Sequence, residues 1–228
     1  SLNLTVIAAG AWGTALAITF SARHQVTLWT REEDVTRDMQ AHRENRRFLP
    51  GFSFPDGLKI AADFKSAVSA ADFLIIAAPL VGFRPTLRAL REAGEVKPLL
   101  WVCKGLEAET ALLPHQVVAQ ELGADVLCGV LTGPSFAEEV AKGLPLAITL
   151  ASKDGDFAQR MALELHSSRF RIYANDDLPG AEVGGAVKNV MAIATGICDG
   201  LGFGLNARAA LMTRGLAEIA RLGVALGG

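Results

Sequence analysis

The chain has little net charge, few cysteines and no long apolar run, and each shortage excludes something. Lys and Arg number 22 against 24 Asp and Glu, a formal net charge of −2 over 228 residues. No basic field covers such a protein, which argues against a nucleic-acid partner, and any anion must be held by a few placed residues. The three cysteines, Cys103, Cys128 and Cys198, show no C-x-x-C spacing and fall within apolar patterns. They read as buried free thiols in a reducing compartment rather than as a disulfide framework or a metal site. Residues 1–22 carry no charge, yet no basic stretch precedes the apolar run, and Gly10 and Gly13 interrupt it. That is a poor secretory signal. The apolar run from Val190 to Ile197 is too short to span a bilayer and is bracketed by Lys188 and Asp199. No internal repeat or low-complexity tract is present. These absences describe a cytoplasmic globular protein.

What the sequence does hold is alternation. Strand patterns at Leu4–Ala8, Gln25–Trp29, Leu58–Ala61, Phe73–Ala77, Leu99–Cys103 and Val126–Leu131 are separated by helical ones at Trp12–Ala22, Glu32–Arg43, Phe64–Ala70, Leu80–Glu92 and Ala111–Leu122. Near-continuous apolar strands between helices predict a Rossmann-like, doubly wound parallel sheet. Leu146–Ala151 and Phe170–Tyr173, flanking a helix over Asp156–His166, extend that sheet. Residues 174–180 read as a turn-rich linker, and all that follows reads as helix: Ala181–Cys198, a glycine-rich break, then a helix capped by Asn206 and running through Leu222. The expected division is a dinucleotide-binding domain over 1–175 and the start of a helical domain over 181–228.

The stretch Val6-Ile-Ala-Ala-Gly-Ala-Trp-Gly-Thr-Ala-Leu-Ala17 runs from a buried strand through a glycine turn into a helix of small residues. A helix N-terminus directs backbone N–H groups at a pyrophosphate, and glycines admit its close approach. The usual spacing is G-x-G-x-x-G; here Ala8 stands at the first position, before Gly10 and Gly13. Arg31 follows the second strand, where an acidic residue normally holds the ribose of NAD, so the 2′-phosphate of NADP is permitted. Lys104 ends an apolar strand and is placed to hold a substrate phosphate as a point charge. Gly133-Pro-Ser-Phe-Ala-Glu-Glu139 reads as a strand end entering a helix, with Pro134 in the first turn and the Ser135 hydroxyl in a small anion cradle. In Gly184-Gly-Ala-Val-Lys-Asn189, two adjacent glycines within a helix cost about 1 kcal/mol each. They predict a close approach. Lys188, on a segment expected to be buried, has the character of a general base whose pKa burial and a second cation lower.

Together these stretches, with Phe48-Leu-Pro-Gly51, Lys104-Gly-Leu-Glu-Ala-Glu-Thr110 and Asp199-Gly-Leu-Gly-Phe-Gly-Leu-Asn-Ala-Arg208, resemble the bacterial NAD(P)-dependent sn-glycerol-3-phosphate dehydrogenase family over the whole chain. The resemblance implies hydride transfer between NAD(P)H and dihydroxyacetone phosphate, giving sn-glycerol 3-phosphate for phospholipid synthesis, in a homodimer. It implies that Ala11, Trp12, Arg31 and Ala137 contact the dinucleotide beside Gly10 and Gly13. Lys104 would touch cofactor and substrate, Gly133 and Ser135 would hold the substrate, and Lys188 would be the general base. Family members continue past Gly228 with further helices, including an Asp and a Ser-Arg-Asn run, so the helical domain is expected to be cut short here. Ala8 departs from the family's glycine and puts cofactor binding in question. The alternatives are a non-catalytic dinucleotide-binding fragment and a β-hydroxyacid-type reductase.

Overall fold

The computed structural model describes residues 1–228. Its elements run β1 (Asn3–Ile7), α1 (Ala11–Phe20), β2 (Gln25–Trp29), α2 (Glu33–His42), β3 (Lys59–Ala61), α3 (Phe64–Ser69), β4 (Phe73–Ile76), α4 (Leu80–Ala93), β5 (Leu99–Trp101) and α5 (Pro114–Leu122). They continue with β6 (Cys128–Thr132), α6 (Ala137–Ala141), β7 (Leu146–Ala151), α7 (Gly155–Leu165), β8 (Phe170–Asn175), α8 (Leu178–Gly200) and α9 (Gly204–Ala225). The strands form one eight-stranded sheet in the order β3-β2-β1-β4-β5-β6-β7-β8. All neighbours are parallel except β6 and β7.

The sheet is buried on both faces because its strands carry apolar side chains on both. In β4, Phe73 and Ile75 join one core with Leu4, Val6, Leu16, Leu28 and Phe157. Leu74 and Ile76 join the other with Ile7, Phe83, Leu87 and Trp101. Period-two alternation thus feeds two cores from one strand. The strand order reverses between β1 and β4, which opens a crevice at their carboxyl ends.

Several local expectations need correction. Pro134 lies in the turn before α6, not within its first turn, because Phe136 is the N-cap. Asn206 lies inside α9, whose N-cap is Phe203. The expected seven-residue linker shrinks to Asp176 and Asp177, since β8 pairs with β7 as far as Asn175 and the Asp177 carboxylate caps α8 by accepting from the Gly180 N–H at 2.9 Å. The thiols are free, but Cys128 is only half-buried.

Candidate active site

The crevice begins at α1. Gly10 is extended (φ −68°, ψ 179°) and, having no side chain, leaves the first helical N–H groups uncapped. A Cβ there would meet nothing within 4 Å, so the helix end faces open space. Orphan donors at an open helix N-terminus suit a pyrophosphate, so the residues present fit a dinucleotide. Gly13 is required for a different reason: a Cβ would strike the Ala8 carbonyl oxygen and lie 2.8 Å from the Ala77 Cβ. This glycine lets α1 pack against the ends of β1 and β4.

Ala8 takes φ +84°, a conformation that favours glycine. Its N–H still donates to the Trp29 carbonyl at 2.8 Å, so the turn keeps its shape against a backbone cost of about 1–2 kcal/mol. The turn is clamped from behind by Asn45, which sequence reasoning missed. This buried amide donates to the Ala9 carbonyl at 2.8 Å and the Thr14 hydroxyl at 2.9 Å, and accepts from the Phe48 N–H at 3.1 Å. The two groups it donates to lie 31 and 36 residues away in sequence, and no local pattern announces them.

Trp12, Ala11 and Ala137 are partly buried and pack on the same core, where α6 lies against α1. Arg31 is exposed beyond β2. Of its acidic neighbours, Glu32 is engaged by the Thr30 hydroxyl. Gly133, at φ +151°, passes close to Ile148: a Cβ would lie 3.0 Å from its Cγ2. The Ser135 hydroxyl turns back onto the Gly133 carbonyl at 3.3 Å, and α6 has only five residues. The segment expected to form an anion cradle is a turn in which the serine hydroxyl bonds its own backbone.

Beyond the parallel strands, α8 supplies the remaining polar groups. β8 runs opposite to β6, so α8 starts at the amino ends of the core strands and climbs past β6 towards the crevice. Gly185 lies where it passes: a Cβ would sit 3.0 Å from the Thr132 hydroxyl and 3.6 Å from Lys104 Cγ. Gly184 meets nothing within 4 Å, so only one of the paired glycines answers to close packing. One turn later, Lys188 lies beside Lys104. Burial first, and then the Lys188 charge, push the Lys104 ammonium down to about 8. Lys188 itself is exposed, as are Asn189 and Val190, contrary to the buried segment expected. The helix has left the sheet by that point.

The loop carrying Lys104 is pinned from outside. Arg84 donates to both Glu107 oxygens at 2.7 Å and to Glu121 at 2.7 Å. These bonds, led by the Arg84 guanidinium and followed by the Thr110 hydroxyl, hold Glu107 down at about 2.

A doubly wound sheet, an uncapped glycine turn at its switch point and a paired-lysine site at the strand ends define a nicotinamide-dinucleotide-dependent oxidoreductase. Two adjoining families of the same enzyme cover the chain: NAD-dependent glycerol-3-phosphate dehydrogenase N-terminus matches residues 3–158, and its C-terminus matches residues 177–228. The chain belongs to the NAD-dependent glycerol-3-phosphate dehydrogenase family. It is 60% identical over 226 residues to glycerol-3-phosphate dehydrogenase [NAD(P)+] of Dechloromonas aromatica, covering 99% of this chain and 69% of that relative. The enzyme of the same name from Nitrosomonas eutropha is 56% identical over 227 residues, covering 100% and 69%. Among solved structures, glycerol-3-phosphate dehydrogenase from Coxiella burnetii superposes with a TM-score of 0.91 at 42% identity, covering 100% of this chain and 70% of that one. An imine reductase from Myxococcus stipitatus in complex with NAD+, at 17% identity and a TM-score of 0.61, covering 98% and 74%, shares the fold alone.

Proposed function

We propose that the chain catalyses reversible, NAD(P)H-dependent reduction of dihydroxyacetone phosphate to sn-glycerol 3-phosphate, with Lys188 as the proton-transfer residue. The observation that carries this reading is the Lys104–Lys188 pair at the carboxyl end of the sheet, with Lys104 held down at about 8. When bound, NAD(P)H supplies the hydride. The glycine turn from Gly10 to Gly13, with Ala11 and Trp12, holds the pyrophosphate, Ala137 flanks it, and Arg31 accommodates the adenosine end of NAD or NADP. Lys104 faces cofactor and substrate together and holds the phosphate as a point charge, while Gly133 and Ser135 bound the substrate from the β6 side. Lys188 gives a proton to the carbonyl oxygen as the carbon accepts hydride, and takes it back from the hydroxyl in the reverse direction.

The division of labour follows the expected domains: residues 1–175 hold the cofactor and 181–228 bring the base. No helix is long and apolar enough to cross a membrane. The reading extends to a cytoplasmic homodimer, as the family resemblance implies, which fractionation and sedimentation test. The function itself is tested by titrating NADH and NADPH by fluorescence, then adding dihydroxyacetone phosphate and following absorbance loss. Lys188→Ala is expected to reduce turnover by about 10²–10⁴-fold with nucleotide affinity intact. Turnover that survives this change overturns the assignment of the base, and binding without turnover in the unsubstituted protein favours the dinucleotide-binding alternative.

A further inference from the structure

We propose that Glu182, held by His115, is a positioning residue for Lys188, and that this tie sets the distance between the two active-site lysines. The inference rests on the reading of Lys188 given above.

Glu182 is 4% exposed on α8. Its carboxylate accepts from the His115 backbone N–H at 2.9 Å and bonds the His115 ring Nδ1, so both oxygens are engaged by the first turn of α5. A carboxylate is almost never buried this deeply unless it is paired, and His115 is the partner that keeps Glu182 there. Burial pushes its pKa up, and the His115 bonds act against that rise. The groups facing it are His115 from α5, Cys103 immediately before Lys104, Cys128 on β6, and Lys153 just after β7. Glu182 therefore sits beneath the segment that carries Lys104.

The placement along α8 gives the tie its leverage. Leu178, Pro179, Val183 and Gly185 are buried against the sheet body, whereas from Lys188 to Ile197 no residue is fully buried. Among the side chains of this docked stretch, Glu182 makes the hydrogen bonds to the sheet body before the helix overhangs it. Lys188 lies six residues, about 9 Å, farther along the axis. A tilt of about 6° at Glu182 moves Lys188 by about 1 Å, enough to cost about a hundredfold in rate. Gly185, in contact range of Thr132 and Lys104, is the fulcrum between them.

The test compares Glu182→Ala, Glu182→Gln and His115→Ala with the unsubstituted enzyme, whose own turnover of dihydroxyacetone phosphate first tests the functional reading separately. The expected result for Glu182→Ala is a fall of about a hundredfold in kcat, with the dissociation constant for NADH unchanged because the nucleotide cradle lies on β1 and α1. Burial and then the Lys188 charge push Lys104 down to about 8, so an alkaline transition in KM is expected there, and in Glu182→Ala it is expected to move up, since a displaced Lys188 no longer lowers it. Glu182→Gln, which still accepts from the His115 N–H, is expected to restore most of the rate. The Glu182→Ala, His115→Ala double variant is expected to lose no more than Glu182→Ala alone, because both changes break one tie. An unchanged kcat in folded Glu182→Ala overturns the proposal. So does loss of turnover and NADH binding in equal proportion with the alkaline transition unmoved, which marks a merely structural residue. Should Glu182→Ala fail to fold, Glu182→Asp decides alone, because its shorter side chain draws the carboxylate away from both His115 groups: a lower kcat with the transition shifted supports the tie, and an unaltered kcat or an unmoved transition overturns it.

Discussion

The sheet body and the α8–α9 hairpin are built on opposite terms. In β1, β4 and β5 nearly every residue is buried, and two separate cores hold the strands between helices. In the hairpin, from Val190 to Leu226, only Cys198, Gly215 and Gly223 are buried. Val190, Ile193, Ile197, Leu201, Phe203 and Leu205 are each 58–81% exposed. The two helices cross closely because Gly215 admits the Met191 side chain, which a Cβ there would strike. Burial is the main stabilising term, and the cofactor cradle stands on cores to which the hairpin adds only Leu178, with Ala181 packed against it. The proposed base does not. Lys188 sits on an element whose first turns alone are fastened to the sheet body.

The sharpest way to break this contrast is at the junction. Gly185→Ala inserts a methyl 3.0 Å from the Thr132 hydroxyl and against the Lys104 stem, lifting α8 from the sheet. Turnover is expected to fall by about ten- to a hundredfold through misplacement of Lys188, with NADH affinity retained. Gly184→Ala meets open space and is expected to leave kcat intact while adding up to about 1 kcal/mol of stability from helix propensity. Paired kinetics and thermal melts on the two variants read the difference directly. Equal kinetic effects from both would refute the close-approach explanation.

A second, smaller effect sharpens the electrostatic side. A lysine pushed down to about 8 is charged below that pH and neutral above it. The sign is therefore fixed: KM for the phosphorylated substrate should rise as pH climbs through about 8. Lys104→Arg keeps its charge throughout this range and is expected to flatten that rise, at some cost in affinity at neutral pH. Measuring KM between pH 6.5 and 9.5, a span of about 1.5 units either side of the transition, decides it. A rise of KM with the same midpoint in Lys104→Arg would move the titration to another group.

The smallest effect belongs to the sheet body itself. Ala8→Gly relieves the +84° φ, a strain of about 1–2 kcal/mol, offset by about 0.4–1 kcal/mol of added unfolded-state freedom. The net gain of about 1 kcal/mol should raise Tm by about 2–4 °C. Nucleotide affinity should hold or tighten. A lowered Tm would mean that the Ala8 methyl makes packing contacts worth more than the strain.

The sequence was legible where local pattern carries the physics. The strand over Gln25–Trp29 was placed residue for residue, and β7 was matched over Leu146–Ala151, because β-branched and apolar runs bounded by turn residues leave few alternatives. Lys104 was recognisable as a charge ending an apolar strand and is half-buried there, whereas Lys188 was singled out on a segment expected to be buried and is exposed. Asn45, Glu182 and His115 were not, because each acts through partners 31 to 67 residues away.

The order of residues by itself determined the alternating α/β plan, the open glycine turn and the family, since periodicity, helix-end chemistry and motif spacing are properties of the chain read in one dimension. Tertiary structure alone decided that Ala8 must take a glycine-like backbone, that β7 runs antiparallel to β6, and that α8 consequently climbs from the amino to the carboxyl end of the strands. Only that climb brings Lys188 beside Lys104, 84 positions away. Long-range placement follows from how two cores and one close glycine contact are packed together, and no local pattern encodes that packing.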